Sequence, residues 1–277
     1  MTTPNPVDLL ILGAGWTSTF LLPLLSSLNI THASTTRSGR DNTLPFTFDP
    51  LSSDAAPFAR LPAAKTVLIT FPITVPGASR TLVELYTSTH HGGGAGDAAF
   101  VQLGSSGVWA GAEGTVDRHA AVDRSARALA EKEMMALGGS VLNLAGLWGG
   151  ARDPRGWVSR VAKSAEQLAG KGSLHVIHGE DVAAAVVAVH KAFEKAKGQR
   201  WLLTDLRSYD WWDLALAWGE VERDWVLGLL EAEGEKGVLP RERTKRGRAL
   251  DSSEFWRTFG ILPKKSLYDI ADGGAHE

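Results

Sequence analysis

Val7-Asp8-Leu9-Leu10-Ile11-Leu12-Gly13-Ala14-Gly15-Trp16-Thr17-Ser18 is a short apolar run that ends on a glycine-rich turn. The run from Val7 to Leu12 has the length and composition of a strand buried on both faces of a parallel sheet. A helix is expected after it, because from Trp16 to Leu28 the leucines and Phe20 recur at helical spacing, with Pro23 in the first turns or at a kink. The turn carries the first two glycines of the dinucleotide fingerprint, and Ser18 stands at the third position. Gly13 permits the tight turn and Gly15 lets backbone approach a pyrophosphate, whose charge is stabilised by N–H groups at the start of the helix. The third position mainly serves helix packing, so a serine is tolerable there. The expected cofactor contacts in this stretch are Gly13, Gly15, Trp16, Thr17 and Ser18.

Outward from this unit the chain alternates between strand-like and helix-like segments. Strands are expected over Ile30–Thr36, Phe46–Phe48, Thr66–Phe71, where Pro72 stops the run, Ala99–Leu103 and Ser140–Leu144. Helices are expected over Gly77–Thr89, Arg124–Leu137, Trp157–Ala169 and Asp181–Lys195. Past Gly198 come a strand at Trp201–Leu203, helices at Tyr209–Trp218 and Val221–Ala232, and a last short helix at Phe255–Ile261. The predicted class is α/β: a doubly wound parallel sheet of the Rossmann kind with a small C-terminal α+β subdomain on the substrate side. Residues 1–155 are expected to form the nucleotide-binding core. Residues 156–277 supply the remaining core elements, including a strand and helix near 174–195, interleaved with the small subdomain.

Composition narrows the function classes. The chain has 277 residues, 44% apolar and 22% charged, with a formal net charge of −2, so no general field attracts nucleic acid or an anionic membrane. It contains no cysteine, which excludes disulfides, thiolate metal sites and thiol nucleophiles and fits a cytoplasmic setting. Met1–Asp8 shows no secretory signal, and nowhere do about 18 apolar residues run together, so no membrane span is expected. His90 and His91 precede a glycine-rich link that reads as a surface loop, and without nearby acidic partners no metal site is expected. The basic stretch Arg241–Arg248 is interrupted by Glu242 and reads as a solvated loop. Ten tryptophans, several after Gly146, mostly fill cores and are candidates to line an apolar substrate pocket.

At the end of the second expected strand, where an NAD-binding chain often places a carboxylate for the ribose hydroxyl, this one has Thr35-Thr36-Arg37-Ser38. A guanidinium and hydroxyl donors suit a ribose phosphate that a carboxylate would repel. Thr36, Arg37 and Ser38 therefore favour NADP over NAD.

The order of these features resembles the extended short-chain dehydrogenase/reductases, in particular their atypical, epimerase-like YeeZ-like branch. Gly13-Ala14-Gly15-Trp16 and Thr35-Thr36-Arg37 match its cofactor signatures. Ser105-Ser106-Gly107-Val108-Trp109 is similar to the family's Ser-Ser-x-x-Val-Tyr-Gly, with tryptophan in place of tyrosine. Leu144-Ala145-Gly146-Leu147-Trp148-Gly149 and His175–Ala183 resemble two later family segments. The resemblance implies that Ser105 is the hydroxyl orienting a substrate carbonyl or alcohol beside the cofactor, and that Phe71 and Pro72 border the cofactor. It also implies pairing of two chains through helices of the main domain.

The chain departs from the family in its proton-transfer pair. Tyr86, Tyr209 and Tyr268 are its only tyrosines, and none is followed by lysine four places later. Aligning Glu131 with the family's helix glutamate puts Asp123 and Arg127 at the Tyr and Lys positions, whereas aligning Glu133 puts Ser125 and Leu129 there. Proton transfer would then fall to Ser106, water or a residue of the tryptophan-rich second half. His178 and His119 are weaker candidates, and Asp181 reads as a helix N-terminal carboxylate. Two functional readings follow from the resemblance. One is an NADP(H)-dependent oxidoreductase or epimerase-like enzyme acting on a small carbonyl, alcohol or sugar-like molecule. The other is a non-catalytic NADP(H)-binding redox sensor or regulatory protein.

Overall fold

The computed structural model describes residues 4–90, 98–232 and 238–270. In chain order its strands are β1 (Val7–Leu12), β2 (His32–Thr36), β3 (Leu44–Pro45), β4 (Ala64–Ile69), β5 (Ala99–Ser105), β6 (Thr115–Val116), β7 (Ser140–Leu144), β8 (Gly146–Trp148), β9 (Ser173–Leu174), β10 (Val176–His178), β11 (Arg200–Leu203), β12 (Tyr209–Asp210) and β13 (Ala249–Leu250). The helices are α1 (Ser18–Ser27), α2 (Ala78–Thr89), α3 (Ala126–Ala136), α4 (Val158–Val161), α5 (Ala165–Ala169), α6 (Gly179–Lys191), α7 (Trp211–Trp218), α8 (Val221–Ala232) and α9 (Ser253–Phe259).

Seven strands form one parallel sheet in the order β11-β7-β5-β4-β1-β2-β3. Each strand alternates its side chains between two faces, and the sequence supplies apolar residues for both. Leu9 and Ile11 pack with Leu21 and Leu25 of α1 and Val182 and Val186 of α6. Leu10 and Leu12 pack on the other face with Leu82 and Tyr86 of α2 and Met134 of α3. Covering both faces explains why β1 is a continuous apolar run rather than an alternating one. The direction of the chain reverses at β1: β2 and β3 lie to one side, β4, β5, β7 and β11 to the other. That switch point opens a crevice beyond the carboxyl ends of the strands.

The second half both completes this sheet and adds a smaller unit. β11 pairs with β7, and α6 packs on the same face as α1. A separate apolar cluster joins Leu168, Trp211, Trp212, Leu214 and Val226, with the Trp212 indole donating to the Leu168 carbonyl at 3.0 Å. Trp109, Trp201, Trp212 and Trp256 are fully buried, so these tryptophans serve packing rather than a pocket wall.

Several expectations change in detail. The Phe46–Phe48 strand is instead the two-residue β3 just before it, an edge strand whose last ladder bond runs from the Phe46 N–H to the Thr36 carbonyl at 2.9 Å. Phe46 and Phe48 turn their rings onto Phe58. The single helix expected over Trp157–Ala169 is split into α4 and α5, because the Ser164 side chain caps α5 by accepting from the Gln167 N–H. The basic stretch is not a solvated loop throughout. Arg241 is buried and clamps Asp210 through Nη2 at 2.6 Å and Nε at 3.0 Å, with its guanidinium 3.9 Å from the Trp212 ring centre. Part of the His90–Gly96 link lies outside the described residues; His90 itself stacks on Tyr86 and contacts the Leu61 carbonyl at 2.9 Å. Among the described residues no helix is long and apolar enough to cross a membrane, and no group of three or more His, Asp or Glu is placed to hold a metal.

Candidate active site

The glycine turn sits at the carboxyl end of β1 and is held by its neighbours. The Gly13 N–H donates to Thr35 Oγ1 at 3.0 Å, and Ala14 N–H to the Thr35 carbonyl at 2.6 Å. From the other side Thr70 Oγ1 donates to the Gly13 carbonyl. Gly13 has φ +95°, and a Cβ there would lie 2.8 Å from Thr70 Oγ1, so only glycine fits. Beside Gly15 the space is open, with only the Gly13 carbonyl oxygen 4.0 Å from a built Cβ. α1 has no acidic residue in its first turn and no side-chain cap; its first N–H groups, on Ser18, Thr19 and Phe20, donate to the Gly15, Trp16 and Thr17 carbonyls at 3.0, 3.1 and 3.2 Å.

A cavity of about 850 Å³ begins at this turn and runs along the ends of β2 and β4. Of the residues read from the sequence, Gly13, Gly15, Thr36, Arg37, Ser38, Phe71 and Pro72 line it together. Trp16, Thr17 and Ser18 do not line it: Thr17 and Ser18 are buried, and the Trp16 indole donates to the Gly149 carbonyl at 3.0 Å. The loop after β2 is closed by Thr36 Oγ1 against Thr43 Oγ1 at 2.7 Å, and Arg40 N–H donates to Thr36 Oγ1 at 3.1 Å. This closure brings Arg37, Ser38 and Arg40 to one end of the cavity. Arg40, Phe46 and Phe48 line the cavity as well, beyond the residues read from the sequence; the signal for Arg40 is a second cation in the same short loop, whereas the sequence reading places the two rings on a strand.

Ser105 and Ser106 stand apart from this cavity, at the end of β5 beside the end of β7. Ser105 Oγ accepts from the Gly107 N–H at 3.1 Å, which aims the side chain beyond the strand end. Its backbone is fixed from below: Asn143 Nδ2 donates to the Ser105 carbonyl at 3.0 Å and to Glu131 Oε2 at 2.9 Å. Glu131 is fully buried and pairs with Arg200 at 3.0 Å, and burial pushes its carboxyl above the usual range. Gly104 is required here, since a Cβ would come within 2.5 Å of both Asn143 and Glu131. Glu133, by contrast, reaches to the N-terminal turn of α2 and accepts from Ser79 and Arg80 N–H groups at 3.1 and 3.3 Å. Asp123 is exposed, and hydrogen bonds from Ser125, side chain first, hold its carboxyl below the usual range. An acid so held is ionised at neutral pH and does not donate a proton.

The remaining candidates have structural partners. His178 Nδ1 accepts from the Glu180 N–H at 3.2 Å, capping α6, and its ring packs between Phe20 and Trp148. Asp181 lies in the first turn of α6, as expected, and also accepts from Lys264 and Lys265 N–H groups at 2.8 and 3.1 Å. His119 pairs with Glu254 at 2.8 Å. Beyond the end of β11, Asp205 accepts from the Tyr209 hydroxyl at 2.5 Å and is buried, which pushes its carboxyl up to about 6. Nothing in the sequence near Asp205 signalled this buried acid.

The same fold recurs in solved proteins. A short-chain dehydrogenase/reductase superfamily protein from Agrobacterium tumefaciens with bound NAD aligns with a TM-score of 0.60 over 94% of each chain, at 12% identity. The chain shares its Rossmann-like α/β fold. UDP-glucose 4-epimerase from Bifidobacterium longum, in complex with NAD+ and UDP, aligns to this fold with a TM-score of 0.62 over 95% of each chain, at 12% identity. The yeast methylglyoxal/isovaleraldehyde reductase Gre2, complexed with NADPH, aligns with a TM-score of 0.56 over 93% of this chain and 94% of its own, at 15% identity. No family model matches the chain, and no curated protein matches it in sequence.

Proposed function

We propose that the protein is an NADP(H)-dependent oxidoreductase or epimerase-like enzyme acting on a small carbonyl, alcohol or sugar-like substrate. The observation that carries this reading is the cavity itself, with the glycine turn at one side and Arg37, Ser38 and Arg40 at the other. Its volume of about 850 Å³ lies within the range of small-molecule sites, ~300–1,000 Å³. Neighbours of the same fold bind NAD or NADPH.

In this reading Gly13 and Gly15 admit the pyrophosphate, and Phe71 and Pro72 border the cofactor. Thr36, Arg37 and Ser38 take the ribose phosphate, with Arg40 as a second cation. The bound nicotinamide supplies or accepts a hydride. Ser105 orients the reacting oxygen, held in place through Asn143 and Glu131. Buried Glu131, rather than surface Glu133, matches a helix glutamate facing the sheet, which leaves Asp123 and Arg127 at the usual Tyr and Lys positions. Neither suits proton donation at neutral pH, so Ser106 or a water beside it is assigned that step.

The test is calorimetric titration of NADPH and NADH into wild type and Arg37→Ala. Arg37→Ala is expected to weaken NADPH by about tenfold or more, the size of a lost charge-assisted hydrogen bond, and to leave NADH unchanged. Equal affinities of wild type for the two cofactors would remove the NADP assignment. Turnover of an aldehyde, ketone and sugar-nucleotide panel that is lost in Ser105→Ala supports the enzyme reading; no turnover on any of them returns the chain to a binding role.

A further inference from the structure

A second, smaller cavity of about 330 Å³ lies where the segment after β11 meets β6 and β13. Three arginines line it: Arg207 from the segment after β11, and Arg243 and Arg246 from the basic stretch. Among the described lining residues the only carboxylate is Asp251, which accepts from the Ser253 N–H at 2.8 Å.

The three guanidiniums form no ion pair among the described residues. They are instead set in place by neutral groups. Arg246 Nη1 donates to the Ser208 carbonyl at 2.9 Å, and its buried Nε has no partner. Arg243 Nη2 donates to Thr115 Oγ1. The Arg207 guanidinium lies 5.1 Å from the ring centre of Tyr268. Asp205 and Asp269 offset part of the Arg207 charge, and Asp213 part of that on Arg246. The lining itself still holds three arginines against the single carboxylate of Asp251. Three cations around one concavity repel one another, and a guanidinium held by a single neutral acceptor keeps most of its donors free. A bound oxyanion relieves both conditions at once.

The cavity wall is joined through the chain to the strand end that carries Ser105. The stretch that leaves β5 at Ser105 passes through Trp109, whose carbonyl accepts from Arg248, and reaches the cavity wall at Thr115. β6, at the end of that stretch, pairs in parallel with β13 directly after the basic segment.

We propose that this cavity is a subsite for an oxyanion, a carboxylate or a phosphate, on a compact substrate, and that Arg207, Arg243 and Arg246 grip it. Calling the ligand a substrate rests on the oxidoreductase reading; the anion site itself does not. With about 330 Å³ the site is near the lower limit of small-molecule pockets, ~300 Å³, which fits a small organic acid or a phosphorylated small molecule rather than a nucleoside diphosphate sugar.

The experiment is calorimetric titration of the full chain, saturated with NADPH so that the Arg37 end is occupied, with inorganic phosphate and separately with malonate. Binding of either anion is expected, weakened by about tenfold or more in the double variant Arg207→Ala/Arg243→Ala. Both arginines are exposed, and an unchanged melting temperature shows that the variant is folded. Should NADPH not bind, the same titration in the Arg37→Ala background without cofactor still reads the second site, so the two proposals fail separately. Tighter binding of phosphate assigns a phosphorylated substrate, and tighter binding of malonate a carboxylate one. No binding of either anion, equal binding by wild type and the double variant, or tighter binding of UDP-glucose than of both small anions overturns the proposal.

Discussion

Two short basic segments of this chain look alike in sequence and end in opposite environments. Arg37 to Arg40 follows β2 as an exposed loop, and its guanidiniums line the end of a cavity. Arg241 to Arg248 begins with a side chain only 6% exposed that is locked to Asp210, then lends Arg243 and Arg246 to a second cavity. The first loop is closed by threonines within its own few residues. The second is fixed by partners far along the chain: Asp210, Trp212, the Lys171 carbonyl and the Ser208 carbonyl. Local sequence is enough to place a charge that remains in water. Placing one that leaves water requires a counter-charge and hydrogen-bond acceptors, and these come from the tertiary fold.

The contrast is broken most forcefully at Arg241. Arg241→Ala strands the buried Asp210 carboxylate, and stability in urea is expected to fall by about 3–5 kcal/mol. A loss under about 1 kcal/mol would mean that the stretch is solvated after all. A smaller effect belongs to Asp205, in the same half of the molecule. Its carboxyl titrates near 6 when folded, above its unfolded value, so the folded state binds the extra proton between about pH 4 and 6. Stability from this group is therefore present at pH 4 and falls as pH rises to 6, by roughly 2–3 kcal/mol. Asp205→Asn is expected to flatten that part of the pH profile, measured by urea unfolding at a series of pH values. The smallest effect is at Arg37, where alanine is expected to change stability by less than about 0.5 kcal/mol. Its consequence should appear only in the NADPH titration.

Much of the first half of the chain is legible in the sequence. β1, the turn at Gly13–Gly15, β4, β5, β7, α2 and α3 fall where periodicity and composition put them, to within a few residues. Their signals are local: a doubly buried strand must be apolar throughout, and a residue at φ +95° must be glycine. Less legible were elements set by a single cap or lying at the sheet edge, such as the break at Ser164 and the short β3 before Phe46. The candidate site divided in the same way. Gly13, Gly15, Thr36, Arg37, Ser38, Phe71 and Pro72 meet around one cavity. The support beneath Ser105, made by Asn143, Glu131 and Arg200, joins strand and helix positions that share no local pattern.

By itself, the sequence determined the parallel α/β layering, the glycine turn and the basic loop behind it, because each depends on the intrinsic geometry and polarity of neighbouring residues. Only the tertiary structure decided that Glu131 rather than Glu133 faces the sheet, and that the basic stretch turns inward to meet Asp210 and wall a second cavity. Those outcomes depend on desolvation, and whether a charge leaves water is set by what the fold brings against it.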